Sequence, residues 1–278
     1  MAKTLVVNVF TLKYHNMAIY NGLGDFIRGT WSVQQACNTL GIDADVRLDM
    51  RYHPCGAWVE DNVDCKIDDP AQIVYCQHRE DIISHINKLH SNGISIILLG
   101  TANVCDDGPL SEQFIDNICK ALRPRRKLAE AFLTVYPKNL KPHDYIVVHL
   151  RCGDPVGSTT TAIQLEDAVA KIKLGGGADG NTVFLSDSTD MVEKLTARLG
   201  STTLPTKPAH SFRSPTEESM RDVWIDFFVI ANARKVLCLS VYPHGSSFSE
   251  WASKVHGVPY KLVDLLARHG NEHESYSM

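Results

Sequence analysis

The chain has 278 residues, with 28 lysines and arginines against 32 aspartates and glutamates, for a net charge of −4. That length accommodates one large or two ordinary domains, and 44% hydrophobic residues are enough for full cores. The charge balance leaves no footprint for nucleic acid or an anionic membrane, and no run approaches the roughly 20 apolar residues of a membrane span.

The N-terminal stretch MAKTLVVNVFTLKYH lacks the long apolar core and small-residue cleavage site of a signal peptide, which predicts a cytoplasmic protein. Thr4 to Leu12 reads as a first strand. Asp25 to Leu40 reads as a helix with Phe26, Trp31, Val33, Ala36, Cys37 and Leu40 on one broad face, and Gly41 stands at the stop. A second strand is predicted over Asp45 to Met50. Residues 51–80, with Pro54, Gly56, Asp68, Asp69 and Pro70, read as long functional loops. Helices over Glu80–Leu89, Leu110–Leu122 and Arg125–Val135 flank a buried strand over Ile94–Leu99. Tyr136 to Asp144 carries two prolines and polar residues and reads as a linker.

The pattern then restarts. A strand over Tyr145–Leu150 leads to a helix near Thr161–Leu174 and the GGGADG run at 175–180. A strand over Thr182–Ser186, a helix over Asp190–Leu199, a loop at 203–215 and a helix over Glu217–Ala233 follow. A strand over Lys235–Ser240, a helix near Phe248–Val255, a short strand or turn over Pro259–Val263 and a polar tail from 266 complete the chain. The alternation and its restart predict an α/β protein of two Rossmann-like domains facing a cleft, residues 1–138 and 144–265.

The eight cysteines, at 37, 55, 65, 76, 105, 119, 152 and 238, never form a C-x-x-C pair. Reduced thiols are expected and a zinc site is not; a disulfide within 55, 65 and 76 is the alternative for an oxidising compartment. Asp43-Ala44-Asp45 spells a metal-binding D-x-D, but it precedes a strand and is set aside, as is the incomplete calcium loop at 187–190.

Four stretches can carry chemistry. In YIVVHLRCGD, residues 145–154, a buried strand delivers Arg151, Gly153 and Asp154 to the sheet edge where α/β ligands bind. Arg151 there can grip a phosphate with its planar fork, or form a turn ion pair with Asp154. In YNGLGDFIRG, residues 20–29, Asn21, Gly22 and Gly24 open a helix whose first amides can meet an anion or a sugar hydroxyl, with Asp25 and Arg28 in its first turn. The alternative is an Asp25 that only caps the helix. A dinucleotide fingerprint using Gly22, Gly24 and Asp49 would make an NAD(P)-dependent oxidoreductase, although the glycines follow the first strand too late. Asp187, ending VFLSD, can accept hydrogen bonds from a nucleoside or cap the next helix. In VYPHGSSFSE, Ser246, Ser247 and Phe248 at a helix start offer an anion cradle and a ring for a base.

Taken in order, YNGLGDFIRG, HLRCGD, FLSD and the segment from Asp226 through Ala231 and Ala233 to GSSFSEWA resemble the motifs of fucosyltransferase-type glycosyltransferases. That superfamily includes protein O-fucosyltransferases, bacterial chitooligosaccharide fucosyltransferases and core fucosyltransferases. The resemblance implies a GT-B fold and inverting transfer without a metal cofactor. It implies Arg151 on the donor pyrophosphate with His149 beside it, Ser246, Ser247 and Phe248 on phosphates and base, and Asp187 on the nucleoside. Asp25 is then the first candidate base for the acceptor hydroxyl, with Asp68 or Asp69 as seconds. The short chain also resembles capsid-glycan glycosyltransferases of large algal viruses, one of them a UDP-xylose enzyme. The implied partners are thus a nucleotide sugar, GDP-fucose or UDP-xylose, and a glycan acceptor, in the host cytoplasm if the chain is viral. A non-catalytic sugar-nucleotide or glycan-binding protein of the same fold is the alternative outside enzymes.

Overall fold

The computed structural model describes residues 3–18, 21–102, 108–138, 140–152, 165–178, 181–207 and 214–266. Gly153, Asp154, Tyr20 and Cys105 lie outside them, and so does the expected Arg151–Asp154 pairing. The chain forms two compact units, one of Met1–Ala129 with His210–Arg221, the other of Glu130–Ala209 with Asp222–Met278.

In the first unit, β1 (Thr4–Val9), α1 (Leu23–Thr39), β2 (Ala44–Asp49), α2 (Arg79–Ser91), β3 (Ile96–Leu99) and α3 (Glu112–Ala121) follow in order. The strands form a parallel sheet ordered β2-β1-β3. One face is sealed by Val33, Ala36 and Cys37 of α1 with Ile82 and Ile86 of α2. Trp31 of α1 meets Phe114 of α3 edge-on. The first strand stops at Val9, three residues before the expected Leu12. Past it Phe10 N–H still donates to the Asp49 carbonyl of β2, and Thr11 N–H turns to the Tyr14 hydroxyl. Between β2 and α2 the predicted loop contains two short 3-10 helices, Pro54–Trp58 and Pro70–Gln72.

The helix α4 (Arg126–Val135) leads to the second unit. There follow β4 (Ile146–Arg151), α5 (Leu165–Leu174), β5 (Thr182–Ser186), α6 (Thr189–Leu199), β6 (Thr202–Thr203), α7 (Glu217–Ala231), β7 (Lys235–Ser240), α8 (Ser247–His256) and β8 (Tyr260–Asp264). All pairings are parallel, in the order β6-β5-β4-β7-β8, the strand order of a Rossmann sheet. Strand alternation sends Val148 and Leu150 toward Ile172 of α5 and Leu195 of α6 in one core. His149 faces the other way, onto Ser249 and Phe248 of α8. Both faces are covered, so β4 reads as an unbroken apolar run rather than an alternating one. β6 lies at the start of the expected loop, where no strand was predicted; two residues are too few to show a period in sequence. Among the described residues every cysteine is free, including Cys55, Cys65 and Cys76.

Candidate active site

The chain runs from β4 outward to β5 and β6, then returns to β7 on the other side of β4. The β4–β7 boundary is therefore the topological switch point of this sheet, where the loops leaving two neighbouring strands diverge and open a crevice. Arg151 ends β4 and pairs in register with Ser240, which ends β7. The guanidinium is not loose. Its Nη1 donates to Asp187 Oδ2 at 2.9 Å, with Arg151 22% and Asp187 8% exposed at the side chain. It also lies 5.8 Å from the centre of the Tyr242 ring.

Asp187 is held in turn. Its Oδ1 accepts from the Cys152 backbone N–H at 2.8 Å. A residue expected to meet the nucleoside thus stands against the arginine, fixing the direction of its fork. His149, two residues back on β4 and buried, shares a 2.8 Å hydrogen bond between Nδ1 and the Ser249 hydroxyl. Burial pushes its pKa down to about 4, with the charge of Asp187 opposing and that of Arg151 assisting, so the ring is neutral at pH 7.

Beyond β7 the chain turns at Gly245, whose φ of 71° is left-handed. A Cβ there would also crowd the side-chain ends of Leu262 at 2.9 Å and Tyr260 at 3.0 Å, so the left-handed backbone is what favours glycine. The turn delivers the start of α8. Ser246, its N-cap, makes no side-chain bond to the first-turn amides, and Ser247 and Phe248 are half-buried beside it. A ten-residue helix with such a start presents donors and a positive dipole end to an anion.

A cavity of about 150 Å³ opens beside the end of β5, lined by Ser186, Thr189, Val192, Leu204, Thr206 and Asp226. Asp226, on α7, accepts from the Thr206 hydroxyl at 2.9 Å. Burial raises its pKa to about 7, the Thr206 bond lowering it and Asp222 raising it further. No role fell to Asp226 in the sequence reading, although it stands in the stretch that carried the resemblance. A lone acid amid the aromatic run WIDFF was the available signal.

In the first unit the switch point lies between β1 and β3. Asp25 caps its own helix there, accepting from Gly22 N–H at 2.9 Å and from Arg28 Nη2 at 2.9 Å. Arg28 also reaches the Ala102 carbonyl beyond β3. Asn21 donates to the Tyr75 hydroxyl at 2.9 Å, and Gly24 is buried in the first turn. Asn8, to which the sequence assigned no role, ties β1 to Phe26, Thr30 and Thr101 through its buried amide. A polar residue inside an apolar strand marked it.

The other carboxylates do local work. Asp69 is exposed and caps its own turn, accepting from Ala71 N–H at 2.9 Å and from Gln72. Asp68 pairs with Lys66 on the surface, and Asp43 and Asp45 pair with Lys3 and Arg47. Asp49, the acid of the dinucleotide fingerprint, is buried and gripped by Arg51 at 2.7 Å. Among the described residues no three His, Cys, Asp or Glu side chains are grouped to hold a metal ion.

No family model matches the chain, and no curated protein sequence matches it. Solved structures do. Fucosyltransferase NodZ from Bradyrhizobium aligns over 100% of both chains at 14% identity with a TM-score of 0.59. The chain has their GT-B, α/β fold. NodZ alpha-1,6-fucosyltransferase soaked with GDP-fucose aligns over 95% of both chains at 14% identity, TM-score 0.56. An Arabidopsis thaliana FUT1 mutant in complex with GDP aligns over 94% of this chain and 70% of its own at 10% identity, TM-score 0.52. Among the described residues no helix is long and apolar enough to cross a membrane.

Proposed function

We propose that the chain is an inverting glycosyltransferase that moves fucose from GDP-fucose to a hydroxyl of a glycan acceptor without a metal. The observation that carries this reading is Arg151, held by Asp187 at the β4–β7 switch point beside the start of α8. A fixed cation and a helix dipole at one crevice stabilise the charge that develops on a departing diphosphate. The shared fold with fucosyltransferases solved with GDP and GDP-fucose favours that donor over UDP-xylose.

In this reading the acceptor oxygen attacks the anomeric carbon as the bond to the diphosphate breaks. GDP leaves with the electron pair, and the hydroxyl proton passes to a carboxylate. Asp25 is the first candidate for that base and Asp69 the second. Arg151 binds the diphosphate, and Asp187 acts as its positioning residue. Ser246, Ser247 and the first amides of α8 take phosphate oxygens; Gly153 and Asp154, which follow Arg151 in the chain, are assigned to the substrate by resemblance alone. Neutral His149, oriented by Ser249, sets the floor of the site with Phe248. The cavity holding Asp226 is assigned to the base, whose N–H groups suit a carboxylate acceptor.

Thermal-shift titration with GDP, GDP-fucose, UDP, UDP-xylose and NADH tests the reading. Stabilisation by the GDP compounds supports it. Stabilisation by the UDP compounds alone would move the same scaffold to xylose, and by NADH alone would install the oxidoreductase. Binding of GDP-fucose with no turnover on any glycan would leave a sugar-nucleotide-binding protein.

A further inference from the structure

Away from both switch points, the first unit contains a cavity of about 530 Å³ that the mechanism above does not use. It is lined chiefly by Arg51, Tyr52, His53, Asp61, Arg125 and Glu217, all residues of that unit. We propose that this cavity binds a neutral, hydroxyl-rich saccharide.

The charges of its wall are already paired. Arg51 is pinned by the buried Asp49 through Nε and Nη2, at 3.0 and 2.7 Å, and Nη2 also donates to the Cys65 carbonyl. Arg125 donates from Nη2 to Asp61 at 3.2 Å. Glu217 stands 3.8 Å from Lys127, which lies over the Trp58 ring at 4.4 Å. Trp58 Nε1 donates to the Glu217 carbonyl at 2.6 Å, fixing that residue against the 3-10 helix. Every charge on the wall therefore has an opposite partner inside the unit.

The wall itself holds two carboxylates, Asp61 and Glu217, which a bound phosphate or carboxylate would have to face. An extended peptide would need a free sheet edge or apolar anchors, and the lining is mainly polar. Saccharide hydroxyls donate and accept at once. They can bridge a paired carboxylate and guanidinium without breaking the pair. The Tyr52 ring, packed beside Arg51 at 5.7 Å and anchored by its hydroxyl to the Ile67 carbonyl, offers an apolar face to a sugar ring. His53 stacks on Phe10 at 3.9 Å and caps the 3-10 helix by accepting from Cys55 N–H, which keeps the back wall rigid. A preformed concave site with few fixed polar groups is the usual form of a small-molecule pocket. If the proposed function holds, the saccharide is the acceptor; the binding itself does not depend on it.

Saturation-transfer NMR on the full chain, without nucleotide, uses neutral gluco-, manno-, galacto-, xylo- and N-acetylglucosamine tetrasaccharides, with a sulfated heparin tetrasaccharide as the anionic control. At least one neutral tetrasaccharide should bind. Asp61→Asn with Glu217→Gln should weaken it about tenfold, the loss expected for charge-assisted hydrogen bonds. Tyr52→Ala should weaken it comparably, while the GDP-induced thermal shift stays unchanged in both variants. Should either variant melt early, Asp61→Asn alone carries the test, because that side chain is half-exposed. The proposal falls if no neutral tetrasaccharide binds, if heparin binds best, or if the variants bind as the parent does. Loss of the GDP shift with saccharide binding intact would sink the proposed function and leave this pocket standing.

Discussion

At the scale of the residue, the site is built from charges that already have partners. Arg151 cannot be removed in isolation, because Asp187 is 8% exposed and would lose its 2.9 Å ion pair while buried. Arg151→Lys keeps the charge but loses the fork. It should weaken GDP about tenfold or more by isothermal titration with little change in melting temperature. Asp25→Asn should slow transfer while donor affinity is retained; unchanged turnover would reduce Asp25 to a helix cap. Asp226 makes a pH prediction. Its pKa of about 7 lies above the ordinary carboxylate value, so the folded state holds the extra proton between about pH 4 and 7. That contribution to stability is complete at low pH and is lost as pH rises through 7. His149 acts with the opposite sign. Its lowered pKa costs stability as pH falls from about 6.5 toward 4. Urea unfolding of Asp226→Asn against the parent at pH 5 and pH 8 isolates the first effect: the variant should gain relative stability at pH 8. GDP affinity should rise with pH through 7 in the parent and stay level in the variant.

At the scale of the element, the turn between β7 and α8 decides how donors meet a phosphate. Gly245 allows that turn through its positive φ. Gly245→Ala should cost about 1–2 kcal/mol of stability from the left-handed backbone alone. It should also weaken GDP by shifting the start of α8; a variant that is destabilised but binds normally would show that the turn does not position the cradle. Long, periodic elements were legible in sequence. β5 and β7 begin and end where their apolar runs do, and α1 buries Phe26, Trp31, Val33, Ala36 and Cys37 on the expected face. What escaped was short or set by a distant partner. β6 has two residues, and β1 ends at Val9, past whose last bond to β2 Thr11 N–H turns to the Tyr14 hydroxyl.

At the scale of the whole molecule, the chain carries two parallel sheets with separate cores, and the proposed nucleotide site belongs wholly to the second. GDP at a hundredfold excess over its dissociation constant should therefore stabilise by about 2.7 kcal/mol, a rise of about 5 °C or more in melting temperature. If the units melt separately, only the transition of the second should move. The shift and the turnover should survive EDTA; abolition of both would end the metal-free reading.

The amino-acid order by itself determined the α/β class, the restart of the pattern and the strand ends that carry Arg151 and Asp187. These follow from local periodicity and turn chemistry, which neighbouring residues specify. Only the tertiary structure decided that Asp187 serves Arg151 and that Asp226 stands in a cavity. Those facts depend on which strands become neighbours and which side chains lose water. The pairing of residues 36 positions apart is set by sheet register, which local pattern does not encode.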